Sequence, residues 1–571
     1  MRLSPAPLCL AAILLTMSLV VRGQPVSPPG VELVAPAELA PLLRQHLGLL
    51  QDNAPPFELS AARREVADLL ATEGYFSPIV TLERGASPRL VVTPGPRTAI
   101  VAVDIRFQGA VGGDEGEAAA RRERLRQAWT LPVGQPFRQE DWDQAKEGLL
   151  EALSRRDFPA AQLVESRAEV DPDLAAARLR VVVDSGPAYT LGALAVVGLE
   201  EYPAGLIQGF DPPRPGEPYD RDRLLAFQAA LQNTPWFASA TVAVDLDQAR
   251  SGVAPVRVEL REAKPRRLTL GAGYSSNNGA RAELAYRDSN LARAGWELVS
   301  GLRLAQRHRI LYGDVFLPPA GQDHRDSLGA QVESSDIEGL RVTGQAFGVA
   351  RVRPLWGGES RLGLKIQRET RRPEGAASSR SQALTANWGM TWRRVDNLLD
   401  PRDGFVLALE MGGASAALLS DRNFVRLHGR AVGYRPVGER DVLILRGEVG
   451  ATLADSRQGI PQDFLFRAGG AQSVRGYGYQ SLGVKEGDAV VGGRYLATLS
   501  AEYVHWFRPD WGAAVFADAG NAADQRLNFR LKPGYGAGAR WRSPAGPLAL
   551  DLAWGQDEGR LRLHFAIAIA F

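Results

Sequence analysis

The carboxyl-terminal end of the chain alternates between large apolar side chains and small or polar ones. The large apolar residues are Leu561, Leu563, Phe565, Ile567, Ile569 and Phe571. Because side chains point alternately to the two faces of a strand, a period of two places this set on one face. A sheet in water does not expose such a face, whereas a transmembrane β-barrel presents it to lipid. The pattern therefore predicts the last strand of a membrane barrel.

The same period of two recurs throughout residues 266–571. In stretches 280–287, 535–542 and 548–554, one face is apolar and aromatic, and the other is small or charged. A membrane strand needs ~9–11 residues, so this length accommodates about 16 strands with their turns, an even number as bacterial barrels require. We predict a 16-stranded antiparallel transmembrane β-barrel over residues 266–571. A large soluble β-sandwich is the alternative, because it also buries an apolar face.

Residues 24–265 have a mixed α and β pattern that repeats itself. Proline followed by an aromatic residue precedes a helical stretch three times, at Pro56-Phe57, Pro136-Phe137 and Pro218-Tyr219, about 80 residues apart. The predicted helices span residues 59–72, 139–154 and 220–233. A repeat of this length is a compact domain, since solenoid units have only about 20–50 residues. We predict three α+β domains, each with the order strand, helix, helix, strand, strand and a sheet that keeps an open edge. Their predicted bounds are 24–96, 97–187 and 188–265.

The amino terminus has the pattern of an export signal. Arg2 supplies a positive charge, an apolar core extends from Pro7 to Val21, and Val21-Arg22-Gly23 is the predicted cleavage site. We therefore predict a signal peptide over residues 1–23, because its apolar core is shorter than the ~20 residues of a spanning helix. Cys9, the single cysteine, lies inside this segment, so the mature chain is predicted to have no disulfide and no cysteine-based site.

Composition and charge narrow the choice of partners. The chain has 571 residues, of which 45% are hydrophobic and 23% charged, and this rules out disorder along the whole chain. The net charge of +2 argues against a nucleic-acid partner.

Three glycine-containing stretches in the predicted barrel stand out. Residues 469–477, which include Val474, Arg475, Gly476 and Tyr477, are too rich in glycine for a barrel strand and are predicted to form a loop. Further along, alternation turns a second set, Phe516, Asp518 and Gly520, towards the lumen. The glycines at 534, 536 and 538 leave the lumen face of another strand bare, which allows a second backbone to approach closely.

These motifs resemble those of the BamA/TamA superfamily of outer-membrane assembly and secretion proteins. The Val-Arg-Gly-Tyr loop, the Phe-x-Asp-x-Gly strand, and the turn Asn397-x-x-Asp400-Pro401-x-x-Gly404 all match that family's pattern. The resemblance covers essentially the whole mature chain and identifies the three repeats as POTRA-like domains. Three such domains before a barrel of this size are most similar to TamA, and the resemblance places the barrel in the bacterial outer membrane with the repeats in the periplasm.

In the family, the arginine of the loop folds back into the barrel and binds the inner wall. For this chain the resemblance implies that Arg475 contacts Asp518, and a guanidinium can indeed bind a carboxylate through two parallel hydrogen bonds. Removing one member of a shielded pair typically costs ~3–5 kcal/mol. The alternative is that Arg475 is a solvated loop residue and that Asp518 faces water in the lumen.

The junction between the first and last barrel strands is the second candidate site. Glycines weaken a strand, and two of them, Gly271 and Gly273, lie in the predicted first strand. The predicted seam consists of these glycines with Phe565, Ile567, Ile569 and Phe571. A weak seam can open sideways and pair with an incoming strand. Alternatively, the small residues simply fit a crowded lumen.

We find no sequence pattern for catalysis, a metal or a cofactor. The six histidines have no metal-ligand spacing, and no Gly-x-Ser-x-Gly elbow occurs. The sequence and the resemblance together favour an insertase that helps unfolded outer-membrane proteins, such as autotransporters, to assemble in outer-membrane lipid with a TamB-type partner anchored in the inner membrane. A two-partner-type secretion pore for one exoprotein is the alternative within the superfamily, and a passive porin or barrel enzyme is the alternative outside it.

Overall fold

The structure is a computed structural model that describes residues 32–47, 59–83, 88–113, 116–319, 324–543 and 546–567. The predicted signal peptide and Pro56-Phe57 lie outside the described residues. By its internal contacts, the chain divides into two compact units. The first unit holds the first two small domains, and the second holds most of the third domain together with the large sheet. No helix among the described residues is long and apolar enough to cross a membrane.

The first small domain has two helices and a three-stranded sheet. Its elements are β1 (Glu32–Val34), α1 (Ala40–His46), α2 (Leu59–Thr72), β2 (Ile79–Glu83) and β3 (Arg89–Thr93). The sheet order is β1-β3-β2, so the strand that comes last in the chain lies in the middle. Apolar residues of both helices pack on this sheet.

The second small domain repeats this arrangement. Its elements are β4 (Ala99–Gln108), α3 (Gly116–Gln127), α4 (Gln139–Ser154), β5 (Gln162–Asp171) and β6 (Ala176–Asp184), with sheet order β4-β6-β5. The central strand β6 is buried at most positions because α4 covers it with Trp142, Leu149 and Leu153.

The third small domain has the same order of elements. They are β7 (Thr190–Val197), α5 (Gly205–Gln208), α6 (Arg221–Gln232), β8 (Phe237–Val244) and β9 (Val253–Glu262), with sheet order β7-β9-β8. The predicted helices at 59–72, 139–154 and 220–233 therefore form within one residue of their predicted ends. The exact domain boundaries stay predictions.

The rest of the chain is a 16-stranded antiparallel sheet, as predicted. Its strands are β10 (Arg266–Ser275), β11 (Gly279–Leu291), β12 (Trp296–Ala305), β13 (His308–Phe316), β14 (Arg325–Ile337), β15 (Leu340–Leu355), β16 (Gly358–Pro373), β17 (Ser379–Val395), β18 (Gly404–Ala414), β19 (Phe424–Val437), β20 (Asp441–Leu453), β23 (Tyr495–Trp506), β24 (Trp511–Ala523), β25 (Lys532–Ser543), β26 (Gly546–Gly555) and β27 (Arg560–Ile567). Each strand pairs with the next in this order, and the sheet curls into a nearly closed barrel that brings β10 beside β27.

The two faces of this sheet differ as the period of two predicts. Along β24, Val515 is 58% exposed, whereas its neighbours Phe516 and Asp518 are 5% and 3% exposed. The exposed apolar face is therefore the outside of the barrel, and the buried face lines the lumen. This arrangement excludes the soluble sandwich, which would cover the apolar face.

The connection between β20 and β23, residues 454–494, folds against the lumen wall. It contains a short hairpin of β21 (Val484–Glu486) and β22 (Ala489–Val491). Its side chains pack on the barrel in three apolar clusters, which include Phe464 against Phe424, Tyr477 beside Leu496, and Val491 with Leu340.

Candidate functional site

The predicted glycine-rich loop lies inside this connection and reaches the wall formed by β23 to β26. Arg475 is bound there by the carboxylate of Asp518 on β24. Its Nε and Nη2 donate to Oδ2 and Oδ1 at 2.8 and 2.9 Å, and its backbone N donates to Oδ2 at 3.0 Å. The side chains of Arg475 and Asp518 are 4% and 0% exposed, so the solvated-loop alternative is wrong.

Two further carboxylates contact the same guanidinium. The Nη1 of Arg475 lies 2.8 Å from Glu502 Oε2 and 3.2 Å from Asp551 Oδ2. Arg540 binds both of these carboxylates, and Arg446 binds Glu502 at 2.9 Å. Three guanidiniums thus face three carboxylates, which balances the charge of a buried network on five strands and one loop.

The Phe-x-Asp-x-Gly residues serve this network in different ways. The ring of Phe516 lies under Arg475, with the guanidinium carbon 3.4 Å from the ring centroid, a cation–π contact. Gly520 faces β23 so closely that a Cβ atom would lie 2.8 Å from the methyl carbon of Thr498. The motif therefore supplies a stacking surface, an anion and a small residue along one face of β24.

The loop backbone also approaches the wall more closely than side chains would allow. A Cβ atom at Gly534 would lie 2.0 Å from the carbonyl oxygen of Arg475, and one at Gly476 would lie 2.5 Å from the backbone nitrogen of Gly555. Gly476 also has a φ of +93°, which favours glycine. The prediction that bare glycines admit a second backbone is confirmed at Gly534.

We call the segment 474–477, which precedes β21 and β22, the hairpin. Its other motif residues fix it on either side of Arg475. Val474 and Tyr477 are fully buried, and the hydroxyl of Tyr477 donates to the carbonyl of Pro533 at 2.9 Å. The backbone N–H of Gly476 donates to Nε2 of His564 on β27 at 2.9 Å. His564 therefore joins the hairpin to the last described strand. We call this set of contacts between the 474–477 segment and the wall the latch.

The seam differs from every other strand junction. Within the described residues, no backbone ladder joins β10 to β27, although each pairs fully with its other neighbour. The hydrogen bonds between the two edges involve one side chain, since the Ser276 hydroxyl bonds both the N–H and the carbonyl of Phe565 at 3.2 and 3.4 Å. The seam is therefore held weakly where the structure describes it.

The predicted seam residues lie partly at this junction. Gly271 and Gly273 are on β10, and Phe565 and Ile567 are on β27. Ile569 and Phe571 lie outside the described residues. The apolar side chains that the two edges turn outward include Leu270 and Leu563, which are well exposed.

Sequence reasoning missed Glu502 and Asp551, which contact Arg475, and Arg540, which contacts both carboxylates. All three occupy lumen positions of their strands, so period two could have placed them on the correct face. It could not place them around one guanidinium, because that depends on the register of four strands. No cluster of three or more histidine, cysteine, aspartate or glutamate side chains in the described part of the chain could hold a metal ion.

Comparison with known proteins decides the family. Residues 264–571 match the Omp85 superfamily domain. The chain belongs to the Omp85 superfamily. This Omp85 protein is 32% identical over 160 residues to the outer membrane protein assembly factor BamA of Nitratidesulfovibrio vulgaris, a match that covers 26% of this chain and 20% of the relative. The match thus spans a fifth of the length of that curated relative.

A solved BamA structure shares the fold. The crystal structure of BamA from Haemophilus ducreyi lacking POTRA domains 1–3 matches with a TM-score of 0.72 and 15% identity, and covers 82% of this chain and 99% of that one. CdiB from Escherichia coli matches at a TM-score of 0.45 with 16% identity, over 93% of this chain and 98% of that one. The barrel of this Omp85 protein spans the bacterial outer membrane, with the small domains on the periplasmic side.

The orientation of the barrel in the membrane shows from which side the latch enters the lumen. Because β10 leaves the periplasmic third domain and each hairpin reverses the chain, β20 ends on the cell-surface side. The connection 454–494 therefore enters the lumen from the cell surface. The closer likeness to TamA rests on the repeat count and remains a prediction.

Proposed function

We propose that this protein is a non-enzymatic factor that assists the assembly of exported β-barrel proteins, autotransporters among them, in the outer membrane. The observation that carries the proposal is the pair of adjacent strand edges, β10 and β27, without a backbone ladder in the described residues. An edge with free N–H and C=O groups is a template for an incoming strand.

The latch supports this proposal because it can hold the barrel wall in place while the seam is open. If the seam separates, the barrel must keep its shape around the gap. The buried network of Arg475 ties β23, β24 and β26 to the connection 454–494, and His564 ties the same connection to β27. The edge that receives a strand is then held by contacts that do not depend on the seam.

The small domains supply further edges. In each three-stranded sheet the last strand is central, which leaves β2, β5 and β8 as outer strands. We propose that unfolded substrates, or a TamB-type partner anchored in the inner membrane, pair with these edges in the periplasm. Co-purification of a TamB-type protein with the full chain, compared with a chain lacking residues 24–96, tests the partner.

A disulfide across the seam tests the central step. The double variant Ser276→Cys, Phe565→Cys places thiols at the two residues whose atoms already meet. We expect oxidation to abolish assembly of an autotransporter barrel in proteoliposomes, and reduction to restore it. The control pair Leu284→Cys, Leu302→Cys joins residues directly opposite in the β11–β12 ladder and should change nothing. Full activity in the oxidised seam variant would remove seam opening from the proposal.

Deletion of the gene distinguishes a general assembly factor from a pore that secretes one polypeptide. Surface proteomics of the deletion strain should show loss of several barrel proteins if the protein is a general assembly factor. Loss of one secreted polypeptide, with all barrel proteins retained, would instead identify a two-partner-type pore.

A further inference from the structure

A basic cavity at the periplasmic mouth of the barrel carries a separate inference. The cavity has a volume of about 190 Å³ and is lined by the turn between β17 and β18, the turn between β19 and β20, and the periplasmic ends of β23 and β25. A single water needs only ~10–15 Å³ on the same measure, so the cavity has room for a polyatomic group. None of the latch or seam residues lines it.

The charge around this cavity is mostly positive. Arg402, Arg440, Arg508 and Arg542 line it, whereas Glu439 is its one acidic residue. In the part of the chain that the structure describes, Arg542 forms an ion pair with Asp400, but the other three arginines form none. Guanidiniums gathered without matching carboxylates favour an anionic ligand.

Three buried donors at the cavity have no partner among the described residues. The Nε atoms of Arg402 and Arg542 and the indole N–H of Trp506 are shielded from solvent and make no hydrogen bond to any of those residues. A buried donor without an acceptor is destabilising, so three at one place indicate a ligand with several acceptor oxygens.

The surrounding contacts hold these donors in place. Arg542 stacks on Trp506 with its guanidinium carbon 3.6 Å from the ring centroid, and its Nη1 donates to the carbonyl of Pro509 at 2.7 Å. Arg402 donates through Nη2 to the carbonyl of Glu439 at 2.6 Å. Both guanidiniums are thus fixed through their terminal nitrogens, which leaves Nε for another acceptor.

The height of the cavity relative to the membrane fits a phosphate group as the ligand. On the outer face of the neighbouring strands, Trp511 and Trp541 stack with ring centroids 5.2 Å apart. Exposed tryptophans at a strand end mark the level of lipid headgroups in membrane barrels. The cavity therefore lies at the height of the periplasmic headgroup layer, where phosphate is the common anion.

We propose that this cavity, built around Arg402, Trp506 and Arg542, binds a phosphate group. The shared chemistry is a tetrahedral oxyanion, supplied either by free phosphate or by a phospholipid headgroup. Arg402 and Asp400 belong to the turn between β17 and β18, and Arg542 lies next to the last residue of β25. The bound group would therefore link this turn to the wall of the latch.

Titration of the full-length protein in phosphate-free detergent buffer tests the site. We expect saturable binding of one inorganic phosphate per chain by calorimetry. Arg402→Gln should weaken it about tenfold, because one charge-assisted hydrogen bond is lost. Trp506→Phe keeps the ring under Arg542 but removes the N–H, and should weaken binding by a smaller factor. Arg293→Gln, on the exposed turn between β11 and β12, is the matched control and should bind phosphate normally.

Native mass spectrometry with phosphatidylglycerol distinguishes the two sources. A retained lipid that is lost in Arg402→Gln and Trp506→Phe, and displaced by phosphate, identifies the headgroup as the ligand. Phosphate binding with an unchanged lipid count identifies free phosphate. The proposal is overturned if neither ligand binds the native chain, or if binding is the same in the native chain and in both cavity variants. Because the assay measures binding alone, its outcome is independent of the assembly function.

Discussion

Two regions of the barrel are built in opposite ways. One is the wall of β23 to β26, which binds the latch, and the other is the seam between β27 and β10. At the latch, one guanidinium contacts three buried carboxylates and an aromatic ring. At the seam, the hydroxyl of Ser276 makes the hydrogen bonds between the two edges in the described residues. The same barrel thus concentrates strong contacts in its lumen and leaves one strand junction nearly without them.

The two kinds of contact differ in the free energy that is needed to break them. Buried ion pairs are costly to break one partner at a time, because the remaining charge stays in a low-dielectric site. A few hydrogen bonds to a hydroxyl, by contrast, cost only about 1 kcal/mol each to lose. We therefore expect fluctuations to open the seam before they release the hairpin, while the hydrogen bond from Gly476 to His564 keeps β27 attached to the hairpin.

The largest expected effect comes from Arg475→Ala. It leaves Asp518 without its guanidinium and should lower the free energy of unfolding by ~3–5 kcal/mol. The measurement is urea unfolding, monitored by the mobility difference between heated and unheated samples on SDS gels. The matched control is Arg351→Ala, because Arg351 binds Asp326 with the same two-bond geometry but at 54% exposure. An equal, small loss in both variants would contradict a latch.

A bulky side chain at the bare wall should have the next largest effect. In Gly534→Val the new Cβ would meet the carbonyl oxygen of Arg475, so the hairpin must shift, at a cost of ~1–3 kcal/mol. Gly433→Val, where the space beside the backbone is open, is the control. The same unfolding assay checks both, and equal stability of the two variants would mean that the hairpin does not rest on this wall.

Removing the contact between hairpin and seam strand should have a similar or smaller effect. His564→Phe leaves the N–H of Gly476 without its acceptor, which costs ~1–3 kcal/mol when the group stays buried. We expect faster amide exchange at Gly476. His505→Phe alters an outward-facing strand histidine and should leave that exchange unchanged. Unaltered exchange in His564→Phe would show that β27 and the hairpin are not coupled.

The smallest effect is expected at the seam itself. Ser276→Ala removes the hydrogen bonds between the edges and should cost about 1 kcal/mol locally, which is roughly fivefold faster amide exchange at Phe565. Amides of β24 should exchange at the native rate, because they belong to fully paired strands. Faster exchange on β24 as well would mean that seam and wall open together, and the contrast between them would be lost.

Some parts of this structure followed directly from the sequence. The period of two predicted the strands and their faces, as at Val515 and Phe516, because the pleat allows no other arrangement. The helices at 59–72 and 139–154 formed where the repeated proline–aromatic pairs predicted helical stretches. The pairing of Arg475 with Asp518 was available only through the family resemblance.

Other features needed the tertiary structure. Glu502 and Asp551 meet Arg475, and Arg540 meets both carboxylates, only because four strands have one particular register. No local pattern encodes that register. The cavity around Arg402 and Trp506 joins segments that are about 100 residues apart in the chain. Local alternation is a property of the backbone and can be read along the chain. The meeting of charges across a lumen depends on how the whole sheet closes.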